Sequence, residues 1–132
     1  GLVVPELIAE VADFMQKMEL GIVGKTIFMF TYPATNEEFF LLVPTGGEPP
    51  DVACGQETAT FSLQYRSLEN RPQVGYQKLL QAKRVLHGAG NKLATILGII
   101  EAQQAEPVFL GIDGRNKKCV HTLPFRFRGP KR

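Results

Sequence analysis

His87 and His121 are the only two histidines in this 132-residue chain. Neither has a second ligand nearby at metal-binding spacing, so a metal site is not indicated. The nucleophile types are Ser62, Ser67 and Cys119. No Gly-x-Ser-x-Gly elbow surrounds either serine. Cys119 stands two residues before His121, which places both on one face of a strand, roughly 6–7 Å apart at a rise of about 3.3 Å per residue. A Cys–His pair could use that spacing, but the flanking residues are those of a packed strand. Glu37 and Glu38 are adjacent and point to opposite sides, so they are not a paired acid and base. Gly46-Gly47 and the 111–114 run lack the lysine and the strand-to-helix setting of a phosphate loop, and read as turns. Cys54 and Cys119 form no Cys-x-x-Cys pair, and two cysteines alone cannot enclose a metal. They read as packed free thiols, with a disulfide as the alternative. The sequence therefore offers no catalytic, cofactor-binding or metal-ligating residues.

The one chemical signal left is charge. Arg126 and Arg128 alternate with Phe125 and Phe127, and aromatics beside arginines can stack on nucleic-acid bases. The plainer reading is a half-buried strand with a wet basic face. Residues 1–70 carry ten acids and three bases, hence −7, and residues 71–132 carry three acids and twelve bases, hence +9, which sum to the net +2. Opposite halves can pair head to tail between identical copies. They can also offer a basic surface to nucleic acid, or interleave in the fold and cancel.

The elements that must position these residues follow from periodicity. Leu7, Ile8, Val11, Phe14, Met15 and Met18 fall at helical spacing, with Pro5 suited to a first turn, so residues 5–20 are expected as an amphipathic helix ended by Gly21 and Gly24. Met15 and Met18 read as core filler. Residues 26–32 and 39–43 read as strands, expected to pair as an antiparallel hairpin, the second covered on both faces. Residues 45–60, with Gly46-Gly47 and Pro49-Pro50, are expected to be irregular. Residues 61–66 alternate as a half-buried strand. A helix over about 72–87 follows, closed by Gly88, with His87 favourable at its C-terminal end. Strands are expected at 96–101, where Gly98 marks a bulge or close approach, and at 108–112. Asp113-Gly114 then signals a hairpin into a long last strand over 117–128. Pro124 demotes that strand toward an edge or bulge. The order α-β-β-β-α-β-β-β, with two helices and a largely antiparallel sheet, gives an α+β class and a single domain over 1–132. No apolar run reaches the roughly 18 residues of a membrane span, and no signal peptide opens the sequence. The expectation is a soluble, intracellular chain.

Four stretches in this order resemble the minor capsid and tail terminator family of long-tailed bacteriophages. They are the loop Thr45-Gly-Gly-Glu-Pro-Pro-Asp51, the strand Phe61-Ser-Leu-Gln-Tyr-Arg66, the helix end Leu86-His-Gly88, and Ile112-Asp-Gly-Arg115 leading into the last strand. A departure is the ending Leu123-Pro-Phe-Arg-Phe-Arg128, where relatives often carry an Asn-Phe-like pair. The resemblance implies a structural virion protein of the tail or neck and not an enzyme, with no cofactor. It implies a homo-oligomeric ring, commonly a hexamer, that terminates the tail tube and joins it to the head. Its implied partners are the tail tube protein and a head completion or connector protein, with DNA passing through the lumen without specific binding. Before joining the virion it would reside in the host cytoplasm. A head-side neck ring and a basic nucleic-acid-binding module are the alternatives. The residues expected at subunit or partner interfaces are Gly46, Gly47, Glu48, Asp51, Gln64, Arg66, Arg126 and Arg128. Reversing Arg66 is expected to impair assembly more than folding.

Overall fold

The computed structural model describes residues 2–47, 55–90 and 92–130. Glu48, Asp51 and Cys54 fall outside the described residues. The elements run α1 (Val4–Lys17), β1 (Ile27–Met29), β2 (Phe39–Pro44), β3 (Gln56–Leu68), α2 (Pro72–Leu86), β4 (Ile99–Ala102), β5 (Val108–Asp113) and β6 (Lys118–Pro130). This is the α+β class in the expected order, with two helices and a six-stranded, mostly antiparallel sheet. No helix among the described residues is long and apolar enough to cross a membrane.

The backbone of the fold is the β3–β6 pair. The two strands are antiparallel from Gln56 opposite Pro130 to Leu68 opposite Lys118. Strict alternation drives this pairing, because every second side chain then reaches one face. Ala59, Phe61, Leu63 and Tyr65 of β3 are buried, as are Leu123, Phe125 and Phe127 of β6. Phe61 stacks on Phe125 at 5.5 Å, and Phe40 of β2 meets Tyr65 edge-on at 4.7 Å. Both helices cover this face. α1 contributes Leu7, Ile8, Val11 and Met15, and α2 contributes Leu79, Ala82 and Leu86. Each fully buried aromatic or large aliphatic side chain here stabilises the fold by roughly 1.5–3 kcal/mol.

Several expectations change. α1 starts as expected, with Pro5 in its first turn, but stops at Lys17. The helix ends where Glu19 takes a left-handed conformation (φ 63°), before either glycine. Met15 is core, whereas Met18 lies beyond the helix end and is 46% exposed. β1 pairs with β2 in parallel, not as a hairpin. Phe30 turns sharply at positive φ, and the 30–38 segment carries the chain back across the sheet before β2 begins. β2 is covered on both faces, as expected, by the core on one side and this returning segment on the other.

The 45–60 stretch is irregular only in part, because β3 begins at Gln56. Thr58 and Thr60 are β-branched and sit well in a strand. The last strand is not an edge. β6 lies between β3 on one side and both β4 and β5 on the other. Pro124 is tolerated because it falls where that outer side changes partners. β5 pairs up to Thr122, and β4 begins at Phe125. The Pro124 carbonyl accepts from the Gln103 N–H, so its missing N–H points into the same gap. Gly98 is a close approach, as expected. A Cβ there would meet the Phe127 ring and the Arg128 carbonyl.

Candidate functional site

The face of the sheet away from the helices carries the polar side chains of β3 and β6. Of the residues singled out from sequence, Gln64, Arg66, Arg126 and Arg128 fall on it. Gln64 lies opposite Thr122, Arg66 opposite Val120, Thr60 opposite Arg126 and Thr58 opposite Arg128. Ser62 and Thr122 share a hydrogen bond of 2.7 Å across the same face. Gly46 and Gly47, both at positive φ, follow β2 at one edge of it. The Gly47 N–H donates to the Thr60 hydroxyl at 2.8 Å, and Thr45 binds the same hydroxyl.

Arg66 is not a free basic group. Its guanidinium donates to the Asp113 carboxylate at 2.7 Å, to the Tyr32 hydroxyl at 2.8 Å and to Gln64 Oε1 at 3.2 Å. It also stacks over the Tyr32 ring, 4.6 Å from the centroid. Asn116 donates to the same hydroxyl. This network ties the returning 30–38 segment to the turn between β5 and β6. The Asp113 carboxyl is held below its ordinary range, first by the Arg115 N–H and then by Arg66 and Tyr32, against the opposing effect of desolvation. Glu38 fastens the end of the same segment, accepting from the Leu68 N–H at 2.9 Å and pairing with Arg71. Lys118 fastens its middle, donating from Nζ to the Thr35 carbonyl.

Arg126 and Arg128 share one carboxylate. Glu101 of β4 lies 2.6 Å from Arg128 Nη2 and 3.7 Å from Arg126 Nη2. The hydrogen bond from Arg128 is the main reason the Glu101 carboxyl stays below its ordinary range. The pair of arginines therefore presents less positive charge than its sequence suggests. Beside it, Gln56, Leu97, Ile99, Arg128 and Pro130 line a cleft of about 700 Å³.

The histidines and Cys119 form no reacting pair. Cys119 is buried, its thiol donates to the Glu69 carbonyl at 3.6 Å, and burial raises its pKa. A neutral, walled-in thiol is a poor nucleophile. His121 packs against the Phe109 ring at 5.0 Å and against Gly75 of α2, where a Cβ would sit 2.6 Å from Nδ1. It is buried, but its Nδ1 has no hydrogen-bond partner, and burial lowers its pKa. His87 does more than sit near a helix dipole. Its Nδ1 accepts the Ala102 N–H at 2.9 Å and ties the end of α2 to β4. No cluster among the described residues could hold a metal ion.

Sequence reasoning passed over the most exposed apolar feature. In β5, Val108, Phe109, Leu110 and Ile112 are each 44–58% exposed. The signal was present: an apolar run with no polar alternation, in a strand with too little protein around it to cover both faces.

A protein-family model described as bacteriophage tail terminator protein matches residues 14–123, more than half of the chain. The match runs from the last turn of α1 into the middle of β6. No curated protein matches the chain.

Proposed function

The chain belongs to the bacteriophage tail terminator family, and on that premise we propose that it forms a ring at the head-proximal end of the tail. The family is one of structural virion proteins, not enzymes. In this reading the 1–132 stretch acts as one domain, and copies of it assemble, commonly as six, on the last layer of the tail tube. The ring stops addition of further tail tube protein. Its other face offers a seat to a head completion or connector protein. DNA passes through the lumen without specific binding. The chain itself needs no cofactor.

The observation that carries the reading is the family match across residues 14–123, which takes in β1 to β5, the whole of α2 and the first part of β6. The surface is consistent with assembly. Gln64, Arg126 and Arg128 share the helix-free face, and Gly46 and Gly47 stand at its edge with Glu48 and Asp51 following in sequence. We keep these as interface residues, and give Arg66 the role of shaping the surface beside them.

The test is electron microscopy of particles assembled without this chain. Overlong, headless tails are the expected result. Tails of normal length that fail to join heads would assign it instead to the head side of the joint. Normal particles would overturn the proposal.

A further inference from the structure

The exposed large apolar side chains of the described residues fall at two opposite ends of the sheet. At the β4–β5 end are Leu97, Ile99, Val108, Phe109, Leu110 and Ile112. At the α1–β1 end are Val3, Met18, Ile22 and Phe30. The strand order β1-β2-β3-β6, with β4 and β5 outermost, separates the two groups by the width of the sheet.

The edges differ as well. β4 is closed on its outside by the chain leaving α2, through Gly88 N–H to the Ile100 carbonyl and Ile100 N–H to the Ala89 carbonyl. β1 is closed by the 22–24 segment, which exchanges backbone hydrogen bonds with Ile27. β5 pairs only with β6, and no segment among the described residues covers its other side. An uncovered, apolar edge strand invites another chain.

Charge selects which chain. α2 carries Lys78, Lys83 and Arg84 and no acid, and Lys83 reaches the Ala105 carbonyl just before β5. Arg115 and Lys117 are exposed in the turn after β5. Of the acids at this end, Asp113 is held by Arg66 and Glu101 by Arg128, and Glu106, beside Tyr76 of α2, leaves the five bases in the majority. At the other end, Glu6, Asp13 and Glu19 outnumber Lys17 and Lys25, while the Glu10 carboxylate is turned to the 95–96 segment and accepts from the Thr95 and Ile96 N–H groups. Two β5 ends would repel each other. A β5 end and an α1 end attract.

We infer that the occupant of the β5 end is a second copy of this chain: β5 of one copy docks against the α1–β1 end of the next, and α2 of the first lies beside α1 of the second. Such a contact joins two different surfaces, which is what a ring of identical subunits requires. The apolar side chains supply the buried centre and the helix charges the polar rim. Beside Phe30, an apolar hollow of about 360 Å³, lined also by Val4, Pro5, Pro44 and Ala59, is a seat for a β5 side chain. The inference rests on the ring reading, and it assigns the ring its two contact surfaces.

The test uses particles whose only source of this protein is the full chain or a variant, scored for its incorporation and for tail length. Leu110→Asp and Ile22→Asp each place a charge in the contact and are expected to abolish incorporation with an unchanged melting temperature. Lys78→Glu with Arg84→Glu, and separately Asp13→Lys with Glu19→Lys, are expected to lower incorporation by about tenfold or more. Combining all four reversals in one chain is expected to restore it. Only a contact between two copies restores charge match in this way, given that each pair alone leaves the melting temperature unchanged. Wild-type incorporation of either apolar variant, or failure of the combined reversal to rescue, overturns the inference. So does loss of incorporation by Leu110→Asp alone, which would make β5 the seat of a different protein. Normal tails without any copy of the chain would instead remove the ring reading itself.

Discussion

Arg66 shows how a residue's place can be read from local pattern while its partners cannot. An arginine alternating with apolar neighbours on a half-buried strand is expected on a polar face, and it is there. Its partners come from positions 32 and 113, far away in sequence, and no local pattern announces them. With the Arg66 and Asp113 side chains only 13% and 23% exposed, the pair is sheltered enough for its loss to be felt. Arg66→Ala is expected to cost about 2 kcal/mol, below the cost of breaking a fully buried pair. Arg66→Glu costs more, because it sets a carboxylate against Asp113. Thermal unfolding checks this, and wild-type melting temperatures for both variants would refute it. Because these contacts lie within one chain, reversal of Arg66 is expected to weaken the fold as well as any assembly contact it makes. His87 follows the same pattern. Its place at a helix end was legible, and its bond to the Ala102 N–H was not.

At the scale of elements, periodicity located the helices and the long strands, because alternation in β3 and β6 and the stripe in α1 are strong local signals. It failed where neighbours decide. Gly and Pro before residue 55 masked the start of β3, whose residues 56–60 are held by the end of β6. β1 has three residues, too few to show whether it runs with or against β2. Pro124 pointed to an edge, and the strand is central because the proline sits at a break in its outer pairing. Gly98 was legible as a close approach, and the structure says to what. Gly98→Ala would place a Cβ against the Phe127 ring and 2.5 Å from the Arg128 carbonyl oxygen. Neither can give way cheaply, so a loss of about 2–3 kcal/mol is expected. Chemical denaturation reads it, and a change within about 0.5 kcal/mol would mean that the 97–99 segment shifts freely.

At the scale of the molecule, the opposite-charged halves of the sequence become the two ends of one sheet, instead of cancelling throughout. Glu101 sits between Arg126 and Arg128 and lowers the positive charge of that strand face. Duplex DNA is expected to bind with a Kd above about 100 μM at physiological salt. Glu101→Gln is expected to tighten binding and to steepen its dependence on salt by about one to two in the log–log slope. Micromolar, strongly salt-dependent binding by the unaltered chain would instead favour a nucleic-acid role. The break at Pro124 has one more consequence, for the timing of local opening. β4 and β5 each hold to β6 but not to each other, so neither ladder must break for the other to release. β5 can lift from its Val108 end toward the turn that Arg66 holds through Asp113, while β3 and β6 remain zipped over their full length. The amides of 108–113 then trade hydrogen for deuterium through this small excursion, whereas those between β3 and β6 wait for global unfolding. A neighbour can reshape β5 without disturbing the core beneath it.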